Sequence, residues 1–573
     1  MKRWFAFILD RVGPLDIAVG LVIVVAIGRL IERPIAGVEA PITSDTVLLA
    51  CFGITALICV FRLALGLIQY ALRFGSGSLG VARTVLDEAI RMKVAVVFMA
   101  LLLVIVPILP FVISGDEPLR YRVQSFLSYS LMLTSVLLSL MTIFLACGTL
   151  SNEITDKQIF ITAVKPISRG AYLAGKWLGI VMLDAVLLTV AGAAIYGFTT
   201  FYLAQLPPAD MLDAQALRDE VLVARVASRP DPKIPLEDRV WMMVEQLEKE
   251  NPGAIEQLGR ETAMELGMMG AQRGKLMEWG RTLAHNQYAD QVLKQWKSVG
   301  PMRTEVYVFD ELKPLITEWQ AKVQAWNDAK AAAESSGQPA PPLPQREFIQ
   351  LRYKIKTSKN VPDNQIIMGV AYNGQRRMIK MTTGSAQIIT LPVDFISDEG
   401  VLEIAWHNPL PTNPTVTFSG SDGMELLYKV DSFGPNFLRT MLAMWIKLAF
   451  LAMLGLMAAT FLGFPVACLL ALLIYGAAVT SPFLTDSLRS FGNKPEDTFG
   501  AIEMVMKYIA SGVTTLVSKY ADYPATSQVV DGRLFSWGST GSCLLWIGLV
   551  WTGLIGSLGW LIFRRRELAR VQV

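Results

Sequence analysis

The hydrophobic positions of this sequence fall into long uninterrupted runs. A bilayer core of about 30 Å requires roughly 20 apolar residues in a helix. Seven runs meet this test, and a shorter eighth, 15–31, carries Asp16 and Arg29 near its ends. The seven longer runs are 46–68, 95–114, 126–148, 177–202, 441–462, 464–485 and 541–563. The pattern predicts an α-helical polytopic membrane protein with about eight transmembrane helices.

Composition and charge agree with a membrane protein. Of the 573 residues, 53% are hydrophobic and 18% are charged, whereas soluble proteins carry about 25% charged residues. Residues 203–435 hold 25 Lys and Arg against 30 Asp and Glu. A nucleic-acid-binding protein would concentrate positive charge on its soluble part, so nucleic acid is excluded as a partner. All five cysteines lie in apolar runs without metal-ligand spacing, and we expect neither a metal nor a cofactor.

The distribution of Lys and Arg predicts the orientation of the chain. Basic residues cluster before the first run, between the second and third, between the fourth and fifth, and after the last. With eight spans, all four clusters lie on one side, which the positive-inside bias identifies as the cytosol. We therefore expect a protein of the cytoplasmic (inner) membrane with both termini in the cytosol and residues 203–435 outside the cell.

Residues 203–435 form the predicted extracytoplasmic domain. Apolar residues recur at helical spacing between charged ones over 210–335, which predicts amphipathic helices. A Pro-rich linker follows at 334–345, and the period then changes to two, which is typical of half-buried strands. Further strand candidates lie at 366–371, 387–392, 401–406, 415–418 and 425–430. We expect a small β-sandwich over 346–430 and, because no catalytic constellation is visible, a module that contacts a partner or substrate.

The segment between the fourth and fifth runs is the most informative for mechanism. It reads CGTLSNEITDKQIFITAVKPISRGAYLAGKWLG over 147–179. Polar residues around Glu153 lead into a short amphipathic stretch, Pro166 breaks it, and charged residues precede the return into the membrane. We interpret 150–176 as a cytosolic elbow, and we call it the elbow from here on.

One motif within the elbow imitates a nucleotide-binding loop. GAYLAGKW, at 170–177, fits the first seven positions of G-x-x-x-x-G-K-[ST], but Trp177 offers no hydroxyl for magnesium. No strand precedes the motif, and a membrane helix follows it. We therefore expect its glycines to permit close helix packing, and the chain has no recognisable energy source of its own.

These residues resemble the membrane subunits of type-2 ABC exporters, in particular the branch of gliding-motility and nitrous-oxide-reductase-maturation permeases. The elbow is similar to that family's segment, in which a Glu after a span is followed by Pro-x-Ser-Arg and then Gly-Lys. The stretch VARTVLDEAIRMK at 81–93 resembles the amphipathic helix that opens the family's core, and 459–476 and 529–570 resemble its later spans and basic end.

The resemblance implies a division of labour between subunits. Permeases of this family have no ATPase and pair with a separate cytosolic ABC ATPase, in an assembly of two permeases and two ATPases. The permeases form a homodimer or heterodimer. The elbow would be the coupling helix that contacts the ATPase. The residues carried onto this role are Glu153, Ile159, Phe160, Pro166 and Arg169.

The domain organisation follows from this resemblance. Residues 1–80 hold the cytosolic start and two extra transmembrane helices, and 81–202 hold the first half of a six-helix permease core. The extracytoplasmic domain at 203–435 separates it from the second half at 436–573. The extra helices and the large insertion depart from the family pattern and leave the substrate open.

Two charges inside the predicted spans are candidates for the translocation path. An ionisable group within a membrane is a functional hypothesis by default, which applies to Asp184 and Lys447. Their predicted depths, measured from opposite faces, argue against a direct pair. Residues 501–520 form one apolar helical stripe and are expected to lie as an amphipathic helix at the outer surface.

Three classes of function are compatible with the sequence. The leading hypothesis is the permease subunit of an ATP-driven exporter. An ion-gradient-driven secondary transporter would use Asp184 but would need further buried acids or repeated halves. A membrane-anchored extracytoplasmic binding or scaffold protein would need fewer spans than the sequence contains.

Overall fold

The computed structural model describes most of the chain. The described residues are 44–72, 77–112, 118–156, 167–202, 211–251, 253–265, 272–335, 339, 341–342, 348–418, 423–491 and 519–565. The chain divides into two compact units, Met1–Ala224 with Asp431–Val573, and Arg225–Val430. Three predicted features lie outside the described residues: the short first span at 15–31, elbow residues 157–166, and most of the amphipathic helix at 501–520.

The first unit is a bundle of apolar helices. Its helices before the second unit are α1 (Ser44–Ala71), α2 (Ser78–Arg91), α3 (Lys93–Val112), α4 (Leu119–Thr155), α5 (Arg169–Gly197) and α6 (Met211–Ala216). Those after it are α11 (Phe433–Ala459), α12 (Phe464–Phe491), α13 (Ala525–Val530), α14 (Trp537–Cys543) and α15 (Thr552–Arg565). A π-helical segment, Leu544–Trp551, joins α14 to α15, and a second one, Phe198–Tyr202, extends α5.

Six helices in the described part of the chain are long and apolar enough to cross a membrane. They span Gly53–Ala71, Leu119–Thr155, Arg169–Thr200, Phe433–Ala459, Phe464–Ser481 and Trp537–Arg565. The third predicted span is present as α3, but its apolar part, Val96–Leu109, is shorter. The multi-pass membrane character predicted from the hydrophobic runs is therefore supported.

The helices extend beyond the hydrophobic runs that predicted them. Helix α4 begins at Leu119 and has 37 residues, which corresponds to roughly 55 Å at 1.5 Å per residue. A bilayer core is about 30 Å thick, so part of α4 continues past the predicted span 126–148. Helix α11 likewise begins at Phe433, before the predicted start at 441, because polar residues continue the helix where hydropathy has already fallen.

Helices α2 and α5 approach each other through two glycines. A Cβ atom added at Gly175 would lie 2.5 Å from the Ser78 carbonyl oxygen, and one at Gly179 would lie 2.7 Å from the Ala82 carbonyl oxygen. Both positions therefore exclude any side chain. The GAYLAGKW motif lies within the continuous helix α5, so its backbone N–H groups are not arranged as a phosphate-binding loop, and Gly175 serves close packing as expected.

The second unit combines helices with two antiparallel sheets. Its helices are α7 (Leu236–Glu250), α8 (Ala254–Glu265), α9 (Arg273–Trp296) and α10 (Lys313–Ser335). Its strands are β1 (Val223–Ser228), β2 (Asp231–Pro232), β3 (Ser298–Val299), β4 (Thr304–Phe309), β5 (Phe348–Thr357), β6 (Gln365–Tyr372), β7 (Gln375–Thr382), β8 (Ala386–Pro392), β9 (Leu402–His407), β10 (Val416–Phe418) and β11 (Met424–Ser432). One sheet has the order β1-β11-β5-β10-β3 with β8 paired to β5, and the other has the order β2-β4-β9-β6-β7.

The two sheets enclose one aromatic-rich core. Tyr353 of β5 and Trp406 of β9 come from different sheets and meet edge to face at 5.2 Å, and Tyr307 of β4 meets Phe418 of β10 at 5.5 Å. Trp319 of α10 packs against the same core. Helices α7, α8 and α9 form a smaller core of their own.

The interpretation of 210–335 as wholly helical is wrong at four short strands. Strands β1 to β4 lie within this range. In β4, the sequence TEVYVF alternates in burial, with Tyr307 and Phe309 turned into the core, and its β-branched and aromatic residues are typical of a strand. The charged amphipathic helices on either side concealed this signal.

We expect Gly179→Ala to destabilise the first unit, because the added methyl would overlap the α2 backbone. Overpacking of this kind costs about 1–3 kcal/mol. The measurement is the melting temperature of the purified chain in detergent. Gly197→Ala, at the end of the same helix, is the matched control because its added Cβ meets no atom within 4 Å. Equal melting temperatures for the two variants would contradict the close packing.

Candidate functional site

The two described ends of the elbow are joined by a buried lysine. Lys176 of α5 is fully buried, and its Nζ lies 2.8 Å from Glu153 Oε1 and 3.1 Å from Glu88 Oε2. Glu153 comes from the last turn of α4, and Glu88 comes from α2. One ammonium group therefore connects three helices, and we call this group of residues, with Tyr172, the elbow base.

Tyr172 completes the elbow base. Its hydroxyl donates a hydrogen bond to Glu153, and its ring lies 5.9 Å from Lys176 Nζ, within cation–π range. Because Glu153 accepts hydrogen bonds from both Lys176 and Tyr172, it is bound to two residues of the helix on the other side of the elbow. A buried ammonium requires such partners to offset its desolvation.

Arg169, at the start of α5, forms hydrogen bonds with the end of α15. Its Nη1 donates hydrogen bonds to the carbonyl oxygens of Phe563 at 2.7 Å and Arg564 at 3.0 Å. The last carbonyls of a helix have no partner within the helix, and a cation there is also favoured by the helix dipole. Tyr172 stacks on Phe563 at 6.3 Å between ring centroids, which adds an apolar contact to the same joint.

Burial changes the acidity of one carboxyl of the elbow base. The pKa of Glu88 is raised from its ordinary value of 4.5, mainly because burial disfavours the charged form, while the Lys176 ammonium partly counteracts this shift. Helix α2, which carries Glu88, is not among the candidate membrane spans. The Glu88 carboxyl is therefore expected to stay protonated to a higher pH than an exposed glutamate.

The predicted coupling residues fall into two groups. Glu153 and Arg169 lie in the described structure and make the intramolecular contacts given above. Ile159, Phe160 and Pro166 lie outside the described residues, and their role as a docking surface stays a prediction. Sequence reasoning missed Lys176 as a site residue. Its signal was a lysine followed at once by an apolar run and placed four residues after a tyrosine.

Two tryptophans fix the register between α5 and α11. The indole Nε1 of Trp177 donates to the Ala449 carbonyl oxygen at 2.8 Å, and that of Trp445 donates to the Val181 carbonyl oxygen at 3.0 Å. Each helix therefore contributes one indole to the backbone of the other. Sliding of one helix along the other would therefore break both bonds.

Asp184 and Lys447 lie near the middles of α5 and α11 and do not pair, as expected. Asp184 is fully buried, and its carboxyl oxygens lie 2.9 and 3.0 Å from Thr142 Oγ1 of α4. Lys447 Nζ donates to the Tyr523 carbonyl oxygen at 2.9 Å and lies 4.6 Å from the centre of the Tyr520 ring. The two charges are therefore held by different neighbours.

Lys447 lines a cavity of about 530 Å³ in the first unit. The walls come from α4, α11, α12 and residues 520–531, and they are mostly apolar with several hydroxyl groups. Ser128, Ser135 and Ser139 of α4 are among the lining residues. We call this space the Lys447 cavity. Asp184, the other predicted path residue, is not among the residues that line it.

No group of three or more potential metal ligands occurs among the described residues. The elbow base has one cation and two carboxylates already bound to it, so its geometry is suited to joining helices. The Lys447 cavity has room for a ligand and a polar group on its wall. The elbow base and the Lys447 cavity therefore share no residue.

We expect Glu88→Gln to change the pH dependence of stability. A group whose pKa is raised on folding stabilises the fold below its unfolded pKa and loses this contribution as the pH rises through the folded pKa. Above pH 4.5, the ordinary pKa of this carboxyl, the melting temperature of Glu88→Gln should therefore rise relative to the unsubstituted chain.

Thermal melts in detergent across the pH range measure this effect, with Glu318→Gln, at an exposed residue of the second unit, as the control. If the ion pair with Lys176 outweighed burial, Glu88→Gln would instead lose stability relative to the unsubstituted chain as the pH rises.

We expect Asp184→Asn to leave the melting temperature nearly unchanged, because the amide oxygen still accepts a hydrogen bond from Thr142. Asp184→Leu should lower stability by about 1–3 kcal/mol, because the larger Leu side chain would overpack a fully buried position. Thermal melts of both variants in detergent provide the measurement. A strong loss of stability in Asp184→Asn would show that the carboxylate charge itself is required.

Comparison with known proteins identifies no relative of this chain. No family model matches it, and neither a curated protein nor a solved structure is significantly similar to it. The functional conclusion therefore depends on the membrane helices, the elbow base and the Lys447 cavity.

Proposed function

We propose that the chain is the membrane-spanning permease subunit of an ATP-driven exporter, powered by a separate cytosolic ABC ATPase that docks on the elbow. The observation that carries this proposal is the elbow base. Both described ends of the elbow are held through Lys176, Glu153 and Glu88. A force applied to residues 157–166 would therefore be passed to α2, α4 and α5 together.

Arg169 extends this connection to a fourth helix. It binds the carbonyl end of α15, so the final span would move with the start of α5. The reciprocal indole bonds of Trp177 and Trp445 connect α5 to α11, and α11 carries Lys447. A continuous set of contacts thus leads from the elbow to the cavity, which is what a passive gate requires.

In this proposal, the roles of the elbow residues differ. Ile159 and Phe160 would give the ATPase its apolar contacts, and Pro166 would interrupt the predicted amphipathic stretch that contains them. Glu153 and Arg169 act mainly as positioning residues that fix the described ends of the elbow to the bundle. Nucleotide is bound by the ATPase, and two copies of the permease assemble with two ATPases in the cytoplasmic membrane.

One observation keeps a second candidate open. Asp184 is a fully buried carboxyl in the middle of a candidate span, and buried acids carry protons in ion-gradient-driven transporters. Among the described candidate spans, however, no second buried carboxyl accompanies it, so the exporter is the better-supported function. Loss of a proton-driven activity in Asp184→Asn vesicles without ATP would favour the secondary transporter.

We expect the tagged chain, purified from native membranes, to bring with it a protein that hydrolyses ATP. Phe160→Asp should lower the amount of this ATPase at least about tenfold, because a charge would enter the apolar docking surface. Lys233→Met removes an exposed ion pair with Glu403 in the second unit and is the matched control. ATP hydrolysis by the purified chain alone would contradict the proposal.

The elbow base gives a second prediction for the same complex. A cysteine introduced at Ser135, in the Lys447 cavity, should change its maleimide labelling rate when ATP and vanadate are added. In Lys176→Met the ATPase should still co-purify, but this change in labelling should disappear because the elbow is no longer fixed to the bundle. An undiminished change in Lys176→Met would remove the coupling role of the elbow base.

A further inference from the structure

The Lys447 cavity has the size and lining of a ligand site. Its volume of about 530 Å³ lies within the range of roughly 300–1,000 Å³ that is usual for ligand pockets. Its walls are predominantly apolar, with a few polar groups that could fix the orientation of a ligand. All of its lining residues belong to the first unit.

Lys447 provides the cationic group of the cavity. Among the described lining residues it is the only cation, and Asp531 is the only anion. No carboxylate in the described part of the chain lies within ion-pair distance of Lys447 Nζ. The ammonium has three donors, and the structure gives it one hydrogen bond, to the Tyr523 carbonyl, and the face of the Tyr520 ring. It can therefore bind an anionic group.

Hydroxyl groups lie along one side of the same cavity. Ser128, Ser135 and Ser139 are spaced seven and four residues apart on α4, so they share one face of the helix, and all three line the cavity. Hydroxyls donate hydrogen bonds to the oxygens of phosphates and carboxylates. The wall thus provides several weak donors in addition to the strong one at Lys447.

The rim of the cavity is apolar and lies on two candidate membrane spans. Met132 and Val136 of α4 and Val479 of α12 line the cavity and are 57%, 39% and 55% exposed. Large apolar side chains exposed on a membrane helix face lipid or another apolar surface. A ligand whose charged group is bound at Lys447 would therefore place an apolar portion against these side chains.

We propose that the Lys447 cavity binds an anionic membrane amphiphile, with its phosphate or carboxylate headgroup at Lys447 and its apolar chain against Met132, Val136 and Val479. As the substrate class of the exporter, this assignment rests on the proposed function. As a binding site, it stands on the geometry of the cavity and applies to the isolated chain.

The test measures binding of radiolabelled dioleoylphosphatidylglycerol to the purified full-length chain in detergent. We expect saturable binding that is at least about tenfold tighter than that of neutral dioleoylglycerol, because a hydrogen bond to a charged group contributes at least this factor. Lys447→Met should abolish the preference for the anionic lipid, and Lys447→Arg should restore most of it.

Two further variants separate the site from general effects on folding. Lys519→Met removes a neighbouring exposed lysine, which is paired with Asp522, and should leave binding unchanged. Ser135→Trp would fill the cavity without removing Lys447, and it should weaken the binding of both lipids. Each variant must elute as the same monodisperse species as the unsubstituted chain. In a competition experiment, oleate should displace the radiolabelled lipid, whereas inorganic phosphate should not.

Several results would overturn the inference. An unchanged preference for the anionic lipid in Lys447→Met would exclude Lys447 as the headgroup site. Equal competition by inorganic phosphate would indicate a soluble anion, and a disulfide between copies carrying Met132→Cys that leaves lipid binding unchanged would show that a second copy covers the rim. The lipid assay needs no ATPase, so the two proposals can fail separately. If no lipid binds but the labelling at Ser135→Cys still responds to ATP, only this inference is refuted. If the lipid binds but no ATPase co-purifies with the chain from native membranes, only the exporter is refuted.

Discussion

The membrane unit depends on a single buried ammonium group. Lys176 is fully enclosed, and its charge is tolerated because Glu153 and Glu88 lie within 3.1 Å and the Thr149 carbonyl lies nearby at 3.4 Å. Removing Glu153, which accepts hydrogen bonds from both Lys176 and Tyr172, would leave the buried ammonium poorly compensated, and this is strongly destabilising. The end of α4 and the start of α5, which flank residues 157–166, are therefore held together.

The other apolar helices of the bundle are also joined by a small number of polar contacts. Association of helices in a membrane relies on close packing and hydrogen bonds, because lipid is as apolar as the side chains. Gly179 permits the approach of α2, the indoles of Trp177 and Trp445 set the register with α11, and Thr142 satisfies Asp184. These contacts join neighbouring helices closely, whereas the Lys447 cavity leaves open space between α4, α11 and α12.

The sequence predicted those parts of the fold that periodicity encodes. Hydrophobic runs predicted the six candidate spans, and alternation placed β6 and β8 to β11 within two residues of their observed ends. Strand β7 was missed because QRRMIKMT places charges at an edge where alternation is hidden, and β4 was missed among charged helices. The elbow base could not be predicted, because Lys176, Glu153 and Glu88 are distant in sequence and meet only through helix packing. Lys176 also belongs to the motif that resembles a phosphate-binding loop, but that motif lies within the continuous helix α5 and does not form such a loop.

An external ATPase that drives this gate through residues 157–166 is the central element of the proposed function. The most direct test places a photo-crosslinking amino acid at Phe160 in the full-length chain in native membranes. We expect a crosslink to one cytosolic protein that hydrolyses ATP, and this crosslink should be lost when that protein is depleted. Crosslinks to lipid alone, or labelling of position 160 by a membrane-impermeant reagent added outside intact cells, would contradict the proposed mechanism.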